Sequence, residues 1–98
     1  MGQQIEISSV VTLDSIALFE TDRSITGQDG IGYDAAPEDS TTPPADLAVR
    51  LFDAVPGLER VYVASNQVTA KRATDWDEDS LATAKSVISG LFVHYVAN

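Results

Sequence analysis

The fold of this chain is decided by residues 44–72, which read PADLAVRLFDAVPGLERVYVASNQVTAKR. Apolar side chains recur at helical spacing at Leu47, Leu51, Phe52 and Val55. Pro44 suits the first turn of a helix, and Pro56 followed by Gly57 cannot continue one. The pattern therefore predicts a helix over about 44–55, with one apolar face turned toward a core.

The second half of this stretch predicts a β-hairpin. Two runs rich in β-branched and aromatic residues, 58–64 and 67–72, read as strands. Ser65-Asn66 between them is expected to form a tight turn in which the asparagine takes the left-handed geometry. Val61 and Val63 alternate with polar residues, so we expect both to face the core.

A second helix is predicted on the C-terminal side of the hairpin. Asp75 followed three residues later by Glu78 resembles a capping box, so the helix is expected to begin there. Gly90 is expected inside this helix, at a point of close packing. One apolar stripe would follow its axis, through Leu81, Ala84, Ile88, Leu91, Phe92 and Tyr95.

The N-terminal side predicts two strands and then a long loop. Residues 4–11 alternate, with Ile5, Ile7 and Val10 on one side, and residues 15–19 form a second apolar run. Residues 26–44 are rich in glycine and proline, with a short edge strand around 31–34. We therefore predict an α+β two-layer sandwich in β-β-α-β-β-α order. Its mainly antiparallel sheet would carry two helices on one face, in a single domain over residues 1–98.

Composition excludes several classes of function. The 98 residues have a net charge of −9, no cysteine and one histidine. Nucleic acids and acidic membranes bind basic patches, so neither is an expected partner. Without thiolates there is no cysteine-ligated cluster, disulfide or cysteine nucleophile. No apolar run reaches the length of a membrane helix, so we expect a cytoplasmic protein. No cofactor or metal is expected.

Three motifs resemble chemical sites, and each is better explained by a structural role. The acidic run at 75–80 starts like a calcium loop, but Ser80 and Ser86 replace its required glycine and glutamate. The spaced glycines Gly27, Gly30 and Gly32 lack the lysine of a phosphate loop and favour a flexible turn. His94 suits the C-terminal end of a helix dipole more than catalysis. The chain is therefore not expected to be an enzyme.

Six residues are candidates for binding a protein partner. Nine of the fifteen acidic residues lie in residues 1–46, so an anionic face could steer a basic partner there. Trp76 is either packed between helix and sheet or a partner-facing anchor. Arg23, Asn66 and Trp76 are expected to border loops at one end of the sheet. The candidates are Arg23, Asp34, Glu38, Asp39, Asn66 and Trp76.

The segments 45–63 and 66–71, and Asp75-Trp76 with its long helix, resemble the Nfu/NifU N-terminal domain family. Residues 16–34 follow the family pattern more loosely, and the family's Pro-Asn-Pro signature is replaced by residues 12–15. The resemblance implies an α+β sandwich. In that family the N-terminal domain usually precedes a second domain, whose Cys-x-x-Cys motif holds an iron–sulfur cluster. This chain, expected as a stand-alone version, would assist cluster assembly or delivery without ligating the cluster.

The leading hypothesis is therefore a non-catalytic protein-interaction module that docks to a cluster carrier, scaffold or recipient protein. The alternative is a structural or regulatory domain that self-associates through a sheet edge or helix face, with no link to clusters. A small hydrolase would need a cleft with convergent polar groups, of which the sequence gives no sign. The acidity could also reflect salt adaptation of the host.

Overall fold

The computed structural model describes residues 6–22, 25, 30–38 and 42–90. These residues form strands and helices in the order β1 (Ile7–Leu13), β2 (Ile16–Thr21), β3 (Ile31–Tyr33), α1 (Pro43–Ala54), β4 (Leu58–Ala64), β5 (Gln67–Arg72) and α2 (Glu78–Ser89). The α+β class and the β-β-α-β-β-α order are confirmed, and the short strand expected near residue 31 is β3. Each described helix has 12 residues, too few to cross a membrane.

The sheet joins two hairpins side by side. Its strand order is β1-β2-β5-β4-β3, and every neighbouring pair is antiparallel. β1–β2 and β4–β5 are the hairpins, and β2 pairs with β5 between them. Phe19 lies opposite Val10 on one side and Val68 on the other, and Val68 lies opposite Val63. Paired residues project to the same face, so this register aligns one apolar layer across the sheet.

Both helices cover that apolar face. The sheet contributes Ala17, Phe19, Val61, Val63, Val68 and Ala70. The helices contribute Leu47, Ala48, Leu51, Ala84 and Ile88, and Val55 at the C-cap of α1 joins them; all are buried. Val61 and Val63 face the core as predicted, and Phe52 packs at its margin. The helical spacing and the strand alternation therefore specified the same core.

The second helix begins later than the sequence predicted. Its N-cap is Asp77, whose side chain accepts a hydrogen bond from the backbone N–H of Ser80 at 2.7 Å. That bond stabilises the carboxylate, so the pKa of Asp77 lies below its ordinary value. The prediction of a cap at Asp75 is wrong, because the backbone oxygen of Asp75 is held by the Arg72 guanidinium instead. At the other end Gly90 caps α2 rather than lying inside it. The predicted stripe residues Leu91, Phe92 and Tyr95, and also His94, lie outside the described residues.

The two hairpin turns share one geometry. Asp14 and Ser65, each the first residue of a two-residue turn, have φ of 55°. A left-handed first residue is the pattern of a type II′ turn, which matches the twist of a hairpin. The prediction that Asn66 takes this geometry is wrong. Its side chain reaches the neighbouring strand, and Ser65 carries the left-handed backbone.

Candidate interaction surface

One face of the sheet is left without a helix in the described structure. This open face carries Ser9, Val11, Leu13, Ile16, Leu18, Glu20, Arg60, Tyr62, Gln67, Thr69 and Lys71, which the strand register places opposite the core layer. The described residues leave five large apolar side chains exposed, and four of them project here: Val11 (57%), Leu13 (71%), Ile16 (42%) and Tyr62 (41%). Such exposure is typical of a surface that binds another molecule.

The register makes this apolar surface continuous. Val11 lies opposite Leu18, Leu18 opposite Thr69, and Thr69 opposite Tyr62, so one row crosses four strands. Leu13 and Ile16 form the adjacent pair beside the hairpin turn. Directly paired side chains touch across a sheet. The exposed residues therefore form one strip that begins at β1, rather than scattered single positions.

Two glycines make room at the far end of the strip. A Cβ added at Gly32 would lie 2.7 Å from Nη2 of Arg60, and one at Gly30 would overlap the Tyr62 hydroxyl. The Tyr62 and Arg60 side chains therefore lie directly across the backbone of β3. The glycine spacing that was interpreted as a flexible turn has a packing role at Gly30 and Gly32, whereas Gly27 lies outside the described residues.

The two edges of the sheet are unequal. β3 has three residues, whereas β1 has seven and contains no proline and no charged residue. Short strands, lysines, prolines and bulges are the usual protection of an edge against pairing with other chains. The irregular register between Ile7 and Ser9 protects one end of β1. The rest of β1, through Leu13, contains no lysine and no proline that would protect it.

Charge is also distributed unequally between the two hairpins. Residues 6–22 contain Glu6, Asp14, Glu20 and Asp22, and no lysine, arginine or histidine. On the inner hairpin, by contrast, Lys71 approaches Glu59 at 3.9 Å, and Arg60 binds Asp34. The outer hairpin is therefore the strongly anionic part of the open face, whereas the inner hairpin, residues 58–72, has three basic residues and one acidic residue.

Asn66 has a structural role at one end of β2. The side-chain Nδ2 of Asn66 donates to the backbone oxygen of Thr21 at 3.0 Å. The backbone oxygen of Asn66 accepts from the Thr21 N–H at 2.8 Å and from the Thr21 hydroxyl at 3.0 Å. These bonds join the β4–β5 turn to the end of β2. The amide is therefore used within the fold, and its role toward a partner stays a prediction.

Trp76 is held at the opposite end of β2. Its Nε1 donates to the backbone oxygen of Ser15 at 2.9 Å, and its ring meets Phe19 edge to face at 5.9 Å. The Arg72 guanidinium lies 5.5 Å from the ring centroid. These contacts support the packing role over the partner-facing one. The expectation that Asn66 and Trp76 border one end of the sheet is wrong, because β2 separates them.

The acidic candidates lie near the β3 edge. Asp34 follows β3, and its carboxylate accepts a hydrogen bond from the Arg60 guanidinium; both side chains are exposed. Glu38 is also exposed. Beside them, burial raises the pKa of the Tyr33 phenol, and a hydrogen bond with Thr42 opposes the shift. Arg23 and Asp39 lie outside the described residues.

Sequence reasoning missed the outer edge of β1. The signal was present as a seven-residue strand without charge or proline, at residues 7–13, flanked by Glu6 and Asp14. It could not be recognised as an edge until the strand order was known. The four candidates that the structure describes therefore do not form one site, and the open face with β1 is the coherent surface.

The described residues offer little for small-molecule chemistry. A groove between α1 and α2 has a volume of about 250 Å³ and is lined by Arg50, Asp53, Ala54, Ser86 and Val87. Ligand sites usually enclose about 300–1,000 Å³. Arg50 in this groove is already paired with Asp46 at 3.0 Å. Within the described ranges, no three His, Asp or Glu side chains are grouped to hold a metal ion.

Comparison with known proteins shows a shared fold. No protein-family model matches the chain, and no curated protein matches it. The crystal structure of protein SAV1430 from Staphylococcus aureus is similar, with a TM-score of 0.60 and 16% sequence identity. The match covers 89% of this chain and 98% of that one. At this identity the similarity concerns the fold alone.

Proposed function

We propose that this chain is a non-catalytic protein-interaction module, an accessory in iron–sulfur cluster assembly or delivery that docks to a carrier, scaffold or recipient protein. The observation that carries the docking role is the continuous apolar strip on the open face, bordered by the acidic outer hairpin. The partner is a protein rather than a nucleic acid or a membrane, and the site of action is the cytoplasm.

Two physical terms favour a protein partner. Burial of exposed apolar side chains such as Leu13 is favourable, and a contiguous strip gains more than isolated residues. The carboxylates of Glu6, Asp14 and Glu20 attract a basic partner and raise the rate of encounter. An apolar strip with a charged border is the usual composition of a protein–protein interface.

The link to clusters rests on the resemblance of residues 45–63 and 66–71 to the Nfu/NifU N-terminal domain family. The fold agrees with that family's α+β sandwich. These 98 residues contain no cysteine, so the cluster would stay on the partner throughout, as cargo. The contribution of this chain would be to bring the cluster-bearing protein and its target together.

The test is an affinity capture from the cell lysate of the source organism. Wild type is compared with Leu13→Asp, which places a charge in the exposed strip, and with the control Ala82→Asp, which adds the same charge on an exposed position of α2. We expect wild type and the control to enrich a cysteine desulfurase, a cluster scaffold or cluster-dependent enzymes, and Leu13→Asp to lose them. Enrichment of no such protein by wild type would contradict the cluster role.

Steering by the acidic residues near β3 has a separate test. In the triple variant Asp34→Lys, Glu38→Lys, Asp39→Lys, the charge of this region is reversed. We expect weaker capture with a smaller dependence on salt, because electrostatic attraction is screened by ions. Retention of every partner at wild-type levels would contradict steering by these three residues.

A further inference from the structure

We propose that the outer edge of β1 binds an extended, basic segment of the partner, which adds to the sheet as a sixth strand. This inference rests on the proposed function as an interaction module and names the partner's chemistry. β1 is the terminal strand of the described sheet, and β2 occupies only one of its sides. An added strand is a recurring mode of peptide recognition.

The hairpin geometry identifies the backbone groups that would bind. Leu13 and Ile16 flank a two-residue turn, so they form the hydrogen-bonded pair that closes it. The backbone N–H and C=O groups of Val11 then also bond to β2, because the backbone groups of every second residue in an antiparallel strand are directed to the same neighbour. The backbone N–H and C=O groups of Val10 and Thr12 are therefore directed outward, where they can pair with a new strand.

The side chains of β1 define what the new strand must carry. Its residues on the open face would lie beside Val11 and Leu13 and extend the apolar row outward. Residues on the other side would lie beside Val10, which packs against the core. The best complement is thus an extended segment with apolar residues at alternate positions.

Charge decides between a basic partner and a second copy of this chain. Glu6 and Asp14 bracket β1, eight residues apart, which is roughly 27 Å along an extended strand. In a symmetric antiparallel pair of two β1 strands centred on Val10, Glu6 of each copy would lie opposite Asp14 of the other. Like charges opposite each other destabilise a sheet. A segment with lysine or arginine at both ends would instead pair with both carboxylates.

The inference is tested with synthetic nine-residue peptides titrated into the ¹⁵N-labelled 98-residue chain and followed by NMR. The probe KVTVTVTVK carries a lysine at each end, and its valines lie beside Val11 and Leu13 when the lysines lie opposite Glu6 and Asp14. Its controls are EVTVTVTVE, with acidic ends, and KVTVPVTVK, whose proline removes the backbone donor opposite Val10. We expect KVTVTVTVK to bind about fivefold to tenfold more tightly than EVTVTVTVE at low salt, as two exposed ion pairs would give. Shifts should centre on Val10 and Thr12, and the proline peptide should bind least.

A charge swap provides the decisive variant. In the double variant Glu6→Lys with Asp14→Lys both changed side chains are exposed, so the preference should reverse toward EVTVTVTVE. Residue 14 has a positive φ, so the NMR spectrum of this variant is checked for the native fold before titration. Thr12→Pro, an edge substitution, should weaken both peptides. Equal affinity for the two charged peptides, or shifts centred on β3 or the helices, would overturn the proposal. So would sedimentation of the free chain as a tight dimer that excludes the peptide.

This test and the lysate capture fail in different ways. If KVTVTVTVK binds β1 while capture recovers no cluster protein, the edge is confirmed and the cluster role fails. If capture recovers cluster proteins equally well with Thr12→Pro, the cluster role stands and the edge proposal fails.

Discussion

The outer hairpin β1–β2 and the inner hairpin β4–β5 have the same local geometry and opposite surface chemistry. Each closes in a two-residue turn whose first residue has φ of 55°. The inner hairpin has a strand neighbour on both sides, and its exposed Arg60 and Lys71 each approach a carboxylate. The outer hairpin ends the sheet, carries only acidic charge, and exposes Val11 and Leu13.

The difference shows that position in the sheet, rather than hairpin geometry, assigns the roles. A strand with two neighbours has its backbone satisfied on both sides and needs only to pack. A terminal strand keeps unpaired backbone groups on one side and must be protected or used. We interpret the inner hairpin as scaffold and the outer hairpin as the binding element. Three predictions test that division, and a fourth concerns the cap of α2.

The largest effect is expected at Arg72, which anchors the inner hairpin. Its buried guanidinium donates to the backbone oxygens of Pro56 at 2.9 Å and Asp75 at 2.8 Å. Arg72→Met would leave both carbonyls without this donor and should lower the free energy of unfolding by about 2–4 kcal/mol. Urea denaturation measures it. Arg72→Lys should recover little of the stability lost in Arg72→Met, because one ammonium group does not reproduce the planar fork of a guanidinium. Near-wild-type stability in both variants would contradict the anchoring role.

A matched pair of valines compares the two hairpins directly. Val63 in β4 is fully buried, whereas Val11 in β1 is 57% exposed. Val63→Ala should cost about 2 kcal/mol of unfolding free energy, and Val11→Ala less than about 0.5 kcal/mol. For binding of KVTVTVTVK the order should invert, with the loss confined to Val11→Ala, because a valine of the peptide lies opposite Val11. Equal costs to folding would mean that the open face is not a free surface.

The turns offer a smaller comparison. Glycine adopts a positive φ without strain, so Ser65→Gly should gain up to about 0.5 kcal/mol after the entropy of the unfolded chain is subtracted. Asp14→Gly should change stability by less, because aspartate tolerates the left-handed region better than serine does. Thermal unfolding of both variants at one pH checks the order. A loss of stability in Ser65→Gly would show that the serine side chain, rather than the backbone, determines this turn.

The smallest effect concerns acid stability at the α2 cap, outside both hairpins. The pKa of Asp77 is lowered in the folded state from its ordinary value of 3.8. Its contribution is therefore present above that value and is lost as the pH falls through the folded pKa. Asp77→Asn keeps a capping side chain without this titration. Wild type should lose more stability than Asp77→Asn when urea unfolding is repeated from pH 6 down to about pH 2; parallel curves would contradict the shift.

Local patterns were sufficient to predict the elements and the core. The helix α1, the inner hairpin and the inward orientation of Val61 and Val63 follow from apolar spacing within a few residues. The fold class followed because amphipathic helices and alternating strands have few ways to bury a shared face. The start of α2 was misplaced because several acidic residues could cap it, and a contact from Arg72 to Asp75 decides among them.

The candidate site was far less predictable. The hydrogen bond from Trp76 to Ser15 spans 61 positions, and the Asn66–Thr21 bond spans 45. No local pattern encodes such contacts, so both residues were assigned to a partner surface although the fold uses them. The exposed edge of β1 depends on strand order, which is set by long-range pairing. The acidic bias of the N-terminal half was visible in the sequence, but its position beside an open strand was not.

The most direct test of the division between the hairpins is amide hydrogen exchange of the whole chain, measured residue by residue with and without saturating KVTVTVTVK. We predict slower exchange at Val10 and Thr12 on binding, and unchanged exchange in β4 and β5, whose backbone groups already have partners. Unchanged exchange at Val10 and Thr12, with new protection in the helices or at β3, would contradict the assignment of β1 as the binding edge.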